Sequence, residues 1–400
     1  MEAPFKVLST GDYILPPPLQ DSINKIVENE GYISHKTINR AISTSGGNFL
    51  GKLYEVDIKG KTADGDKEIN IFIKNKTDDM QMGILDIAEC YRLETFFYGH
   101  LSKLYDDIQN KTNIPVEERY NIIKSYDAMN PNAIILENLA KKGFTTVHRM
   151  EVASLKFAQL SVQQLARFHG LSWVLEKQHP EYFAKKIKCL KTTVIFNEEY
   201  QKFIDNMVIY TDKCLDSEQK AVLYKFKSRV METLKKNVIE NAGSRCCLCH
   251  GDYRANNILV KKDGDSITEV KVVDYQMLYY GCPVMDFIYF IFPCTDQEFR
   301  RKHLDDLKDL YYESLRKFLK YFNMDVESLY PRREFETEYK KRLDCGLAFG
   351  LLITPILFTE DDDVPDLAKD DLGTISVTPD IKMDERIRGL VDDFEKWGIL

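Results

Sequence analysis

One ordered set of residues constrains this chain more than any other feature. It is His250-Gly251-Asp252-Tyr253-Arg254-Ala255-Asn256-Asn257-Ile258-Leu259-Val260, followed by Val272-Val273-Asp274-Tyr275. An Asp, an Asn five residues on, and a second Asp just past the next apolar run stand in fixed order. Magnesium-dependent phosphoryl transfer needs such a set. One carboxylate orients the attacking hydroxyl, while an amide oxygen and another carboxylate hold the metal on the nucleotide phosphates. Residues 257–261 read as a short strand, Lys262-Asp263-Gly264-Asp265 as a turn, and residues 269–273 as the returning strand. Such a hairpin brings Asn257 and Asp274 close enough to reach one ion. His-Gly-Asp alone is an ordinary turn; the whole ordered set is much more specific.

A catalytic set of this kind requires a nucleotide-binding half upstream. Residues 37–42 and 52–58 read as strands on either side of a turn containing Ser45, Gly46, Gly47 and Asn48. Glycine lets backbone N–H groups approach phosphates closely, although the same residues also make a plain hairpin turn. In residues 68–74, Ile69, Ile71 and Ile73 alternate with polar or outward residues, which makes a third strand ending at Lys74. Residues 83–104 carry a helical apolar face and include Glu94. A strand lysine followed by a helix glutamate positions nucleotide phosphates in protein-kinase-like enzymes. Such residues are usually solvated surface charges, but their order between the glycine turn and the catalytic stretch favours the pair. Lys76 projects from the same strand face and rivals Lys74. Residues 120–126 and 133–136 read as two further strands, joined by the turn Met129-Asn130-Pro131-Asn132. Glu137-Asn138-Leu139 then forms the connector, where the main chain at Glu137 and Leu139 can read the adenine edge.

The flanks are helical. Pro16-Pro17-Pro18 leads into a helix over residues 19–29, and from Glu151 apolar residues recur at helical intervals up to Trp173. His169 on that helix reads as a packed histidine. Helices continue through residues 198–237. Asp286 opens an aromatic helix, either as its N-cap or as a tie to the catalytic loop. Residues 296–400 read as mostly helical, broken by a solvated acidic loop, Glu360-Asp361-Asp362-Asp363-Val364-Pro365.

Composition narrows the class. Four hundred residues with 44% hydrophobic content suit two lobes. A net charge of -8 argues against nucleic-acid binding. The N-terminus has no basic and apolar leader pattern, and residues 346–358 are too short to span a bilayer and contain Pro355. Neither a membrane span nor a protein partner is expected. Nine cysteines spread along the chain make no disulfide framework and suit a reducing, cytoplasmic setting. Cys246-Cys247-x-Cys249-His250 matches no common zinc spacing and reads as buried strand cysteines.

The whole pattern resembles the ecdysteroid kinase-like family, also described as CHK kinase-like, relatives of choline and aminoglycoside kinases. The matching stretches are Cys249-His250-Gly251-Asp252-Tyr253-Arg254-Ala255-Asn256-Asn257, Val272-Val273-Asp274-Tyr275-Gln276, Pro283-Val284-Met285-Asp286-Phe287-Ile288-Tyr289-Phe290 and Leu165-Ala166-Arg167-Phe168-His169-Gly170-Leu171-Ser172. Leu136-Glu137-Asn138-Leu139 with Gly143-Phe144 is similar to the family's hinge. Arg254 is a departure, since the family commonly has Trp there. The resemblance implies an α+β, protein-kinase-like two-lobe fold with a small antiparallel-sheet N-lobe and a large, mainly helical C-lobe. The expected divisions are an N-terminal extension (1–36), a nucleotide-binding lobe (37–137) and a catalytic, acceptor-binding lobe (138–400) with a helical insertion at 151–241.

By this resemblance Asp252 is the catalytic Asp, Asn257 and Asp274 hold Mg2+, and Lys74 pairs with Glu94 and contacts the ATP phosphates. The implied activity is ATP-dependent phosphorylation of a small-molecule hydroxyl, on an ecdysteroid or a xenobiotic alcohol or glycoside. A choline, aminoglycoside or sugar kinase and a catalytically silent nucleotide-binding scaffold are the alternatives. Gly251 stands where protein kinases have Arg, Asp274-Tyr275-Gln276 replaces Asp-Phe-Gly, and no Ala-Pro-Glu follows, so a small molecule is favoured over a protein as acceptor.

Overall fold

Alternating side chains along three long strands build the first layer. The computed structural model describes residues 6–7, 13–43, 51–76, 82–127, 132–239, 245–358 and 381–400. Strands β1 (Lys6–Val7), β2 (Tyr32–Ser43), β3 (Lys52–Thr62), β4 (Gly65–Asn75) and β5 (Ala133–Glu137) form one antiparallel sheet in that order. Helix α1 (Pro17–Asn29) starts with proline at its first turn, where no N–H is needed, and buries Leu19, Ile23 and Ile26 on one face of this sheet. Tyr54, Val56, Ile58, Ile71 and Ile73 meet it there. The opposite face carries the alternate residues Leu53, Glu55, Asp57 and Lys74, all buried.

Two expectations change. The strand expected over residues 37–42 runs back to Tyr32, and residues 120–126 form no strand. That segment touches the sheet through the single bridge Ser125 to Leu136, because side chains take its backbone donors. Tyr120 N–H donates to Gln109 Oε1 (2.7 Å) and Asn121 N–H to Gln164 Oε1 (2.8 Å). The fifth strand is instead β1, paired with the end of β2. The turn expected at residues 129–132 falls mainly outside the described residues.

Helix α2 (Ile87–Phe96) begins at Asp86, whose side chain accepts the Glu89 N–H, and continues through a π-helical turn (Phe97–Leu101) into α3 (Ser102–Lys111). After β5 the chain enters its helical half through β6 (Phe144–Thr145). Helices α4 (Leu155–Gln178), α5 (Pro180–Lys186), α6 (Glu198–Cys214), α7 (Ser217–Lys227) and α8 (Val230–Ile239) follow. Residues 164–175 of α4 are buried on every side, as befits a central helix. Then come β7 (Cys247–Cys249), β8 (Ile258–Asp263), β9 (Ser266–Val272) and β10 (Tyr279–Gly281). Strands β6, β8 and β9 form one small sheet, and β7 pairs with β10. Helices α9 (Val284–Cys294), α10 (Gln297–Lys320), α11 (Val326–Leu329), α12 (Arg332–Lys341), α13 (Leu343–Leu357) and α14 (Ile381–Lys396) complete the chain. This is the two-lobe, protein-kinase-like α+β fold. Residues 346–358 lie largely in α13 and are mostly buried; among the described residues no helix is long and apolar enough to cross a membrane. The acidic stretch at 360–365 lies outside the described residues.

Candidate active site

The register of the β8–β9 hairpin sets the site. Ile258 pairs with Val272, and Val273 N–H donates to Asn257 O at 2.9 Å, so Asn257 and Asp274 stand together at the open end. Asp274 itself has φ +69°, a left-handed conformation that a non-glycine residue adopts at a cost. The packing of the next residue holds it there. The Tyr275 ring stacks on Phe97 (centroids 3.5 Å, 14°), and its hydroxyl shares a hydrogen bond with that of Tyr120. Phe97 directly follows α2, so this aromatic block fixes α2, and with it Glu94, against the Asp274 turn.

Lys74 projects from β4 into the space so formed. Its Nζ donates to Glu94 Oε2 (2.8 Å), Asp274 Oδ1 (2.8 Å) and Gln276 Oε1 (3.1 Å), and Gln276 Nε2 donates back to Asp274 Oδ2 (3.0 Å). Burial opposes the ammonium charge, yet Asp274 and Glu94 together hold the Lys74 pKa above its ordinary value. Burial pushes the Glu94 carboxyl above its ordinary range, with Lys74 pulling the other way. Lys74, not Lys76, makes these contacts.

Asp252 lies across the cleft and is fully engaged. Its Oδ1 accepts from Arg254 Nε (2.9 Å) and the Tyr289 hydroxyl (2.8 Å), and its Oδ2 accepts from Asn257 Nδ2 (2.8 Å). Asn257 Nδ2 also donates to Asp252 O (2.9 Å), which locks the amide beside the carboxylate.

The loop bearing Asp252 hangs on Asp286. Asp286 is the third residue of α9, whose N-cap is Pro283, so the N-cap expectation gives way to the loop tie. Its Oδ2 accepts His250 N–H (2.7 Å) and its Oδ1 accepts Gly251 N–H (2.9 Å). His169, fully buried, lies 3.1 Å from Asp286 Oδ2 through Nε2 and 2.8 Å from the Tyr311 hydroxyl through Nδ1. The His250 ring bridges the loop to the hairpin: Nδ1 accepts Asp252 N–H (3.3 Å), and Nε2 donates to Val273 O (3.1 Å). Gly251 turns at φ +81°, and a Cβ there would stand 2.1 Å from Met277 O.

At the connector, Asn138 N–H donates to Asn70 O (2.9 Å), and Asn138 Nδ2 donates to Glu55 Oε1 (2.8 Å). The Glu137 side chain pairs with Lys142, while Leu139 O accepts the N–H groups of Lys142 and Phe144. Ser45, Gly46, Gly47 and Asn48 lie outside the described residues. Reading the sequence missed Gln276, Arg254 and Tyr289 as contacts of the set. The signal for Tyr289 was its place three residues after Asp286, on the same helical face.

Behind Gly251 lies an apolar cavity of about 160 Å³. Tyr200, Phe203, Tyr289, Phe349, Leu352 and Ile353 form much of its wall, and Asp286 is its one charged side chain among the described residues. Both Asp286 oxygens are already bound to loop amides, so no free carboxylate awaits a cation there. A different group, His169, Cys247 and Cys249, brings three metal-type ligand atoms within 4.8 Å. Both His169 ring nitrogens are spent in hydrogen bonds, and burial raises the Cys247 thiol to about 11, so these are core side chains.

A buried lysine is thus held between a helix glutamate and an aspartate at a hairpin end, and an aspartate is bound to an asparagine nearby. The sequence model of the ecdysteroid kinase-like family matches residues 45–324, and the chain belongs to that family. It is a small-molecule phosphotransferase that acts on a hydroxyl group. Among solved structures, a Plasmodium vivax ethanolamine kinase is similar at 14% identity, covering 91% of this chain and 84% of that one, with TM-score 0.39. A microcompartment-associated aminopropanol kinase is similar at 12% identity, covering 94% and 98%, with TM-score 0.41. At such scores these likenesses are distant and say nothing of activity. No curated protein matches the chain.

Proposed function

We propose that this chain transfers the γ-phosphoryl group of ATP, with magnesium, to a hydroxyl of a neutral, largely apolar small molecule such as an ecdysteroid or a xenobiotic alcohol or glycoside. The observation that carries this reading is Lys74 Nζ, 2.8 Å from both Glu94 and Asp274, in the cleft that also holds Asp252 and Asn257. Asp252 orients the acceptor hydroxyl and takes its proton late, as the acceptor oxygen–phosphorus bond forms and the bond from phosphorus to the ADP oxygen breaks. Lys74, positioned by Glu94, stabilises charge on the phosphates. Asn257 and Asp274 offer an amide and a carboxylate oxygen, hard donors of the kind Mg2+ prefers, and would hold it. The ion, when bound, neutralises phosphate charge. We assign the main chain at Glu137 and Leu139 to the base and, from sequence order alone, Ser45, Gly46, Gly47 and Asn48 to the phosphates.

We extend the nucleotide-binding lobe from the expected 37–137 back into the expected extension 1–36, because β1 and the start of β2 belong to its sheet and α1 packs on that sheet. The catalytic and acceptor lobe takes residues 138–400, with its helical insertion at 151–241. The described cavity wall supports a neutral acceptor over a polycationic aminoglycoside, which needs free carboxylates there. Its aromatic rings suit a quaternary ammonium as well as an apolar skeleton, so the assay decides for choline. No disulfide joins the nine cysteines, eight of which are buried, and this supports a reducing, cytoplasmic location. The test is magnesium-dependent ADP release by the purified chain with ecdysteroids, plant glycosides, choline and sugars in turn. Stimulation by the first two classes is expected; stimulation by choline alone overturns the acceptor assignment.

A further inference from the structure

We infer that the Tyr289 hydroxyl occupies the acceptor's place on Asp252 while the pocket is empty, and so keeps phosphoryl transfer to water slow. This rests on the proposed reaction and deepens it. A carboxylate oxygen has two in-plane lone pairs. Those of Asp252 Oδ1 are both taken, by Arg254 Nε at 2.9 Å and by the Tyr289 hydroxyl at 2.8 Å. Asn257 grips Oδ2 and the Asp252 carbonyl together, which turns Oδ2 toward the hairpin that carries Asp274.

Asp252 itself is not part of the cavity wall; the Tyr289 hydroxyl links its Oδ1 to that wall, and the two donors of Oδ1 differ. Arg254 is a cation in a nearly buried ion pair and is absent from the cavity wall. Tyr289 is neutral, lines the cavity and meets Phe349 edge-on at 4.6 Å. Burial lifts the phenol well above its ordinary pKa, so it stays a donor. Of the two, Tyr289 is the contact that an incoming hydroxyl can exchange at little cost.

The cavity size points the same way. At about 160 Å³ it is smaller than the ~300–1,000 Å³ of most small-molecule sites, so a large acceptor enters only as wall side chains move. Displacing Tyr289 would open room and free Oδ1 in one event. A water molecule gains too little from the apolar wall to drive that exchange, whereas an apolar alcohol buries its skeleton there. The side reaction held back is hydrolysis: water attacks the γ-phosphorus, the bond to ADP breaks, and ADP, phosphate and a proton leave.

The test needs no knowledge of the acceptor. Phosphate release from Mg-ATP is measured without acceptor for the full chain and for Tyr289→Phe and Tyr289→Leu, beside nucleotide affinity by calorimetry. Both variants are expected to hydrolyse ATP at least ~5-fold faster than the parent at unchanged affinity, and Asp252→Asn in the Tyr289→Phe background is expected to cancel the gain. A merely structural Tyr289 would slow hydrolysis or leave it unchanged, and that result with nucleotide still bound overturns the inference alone. A parent chain that binds no Mg-ATP overturns both the inference and the proposed reaction.

Discussion

The Lys74 ammonium and the Asp274 carboxylate lie 2.8 Å apart, although 200 residues separate them in the chain. The contact spans both lobes and joins a strand end to a hairpin end. Lys74→Met leaves Glu94 and Asp274 facing each other without their shared cation. Removing one partner of a buried pair costs about 3–5 kcal/mol, so unfolding in denaturant should shift to markedly lower concentration. The rate of phosphoryl transfer should fall with it, and a fully stable, active Lys74→Met protein would remove Lys74 from the site.

Asp286 accepts two backbone N–H groups of the loop before Asp252. Asp286→Ala orphans both, at about 1–3 kcal/mol for each buried donor left unpaired. Because Asp286 touches the loop rather than the nucleotide cleft, kcat should drop far more than ATP affinity. Steady-state kinetics with direct nucleotide binding separates the two effects.

Gly251 allows the sharp turn between His250 and Asp252. Gly251→Ala must place a methyl group 2.1 Å from Met277 O at φ +81°. The loop must shift, at a cost of about 1–3 kcal/mol for the strained backbone. A lowered melting temperature together with lost turnover is the expected outcome.

His250 makes the protein acid-sensitive. Burial pushes its pKa below the usual 6.5, outweighing the pull of Asp286, Asp252 and Asp274. A lowered folded-state pKa means that the unfolded chain takes up the proton first. The stability that His250 supplies is therefore complete above pH 6.5 and is lost as the pH falls through the lower, folded value. Protonation would also place a hydrogen on Nδ1, where it now accepts Asp252 N–H. The melting-temperature gap between the parent and His250→Gln should narrow as the pH falls from 7 toward 5; a constant gap contradicts this account.

Much of the site was legible because its residues sit at fixed offsets on short local elements. Asp252, Asn257 and Asp274 belong to one loop and hairpin, and Lys74 ends a strand with clear alternation. The exchange of residues 120–126 for Lys6–Val7 as the fifth strand was not legible. It turns on side chains from distant helices, Gln109 and Gln164, taking backbone donors that a strand would need. Tyr289 and Gln276 stayed hidden for a related reason. Each lies within a recognised motif, but its contact with Asp252 or Lys74 arises only once α9 and the Asp274 turn are packed.

The central claim is that Asp252 aligns and deprotonates the acceptor. Single-turnover phosphoryl transfer by Asp252→Asn, measured beside its ATP affinity, tests it most directly. The account predicts a loss of roughly 10²–10⁴-fold in the transfer rate with nucleotide binding nearly unchanged. Transfer at the parent rate would contradict it.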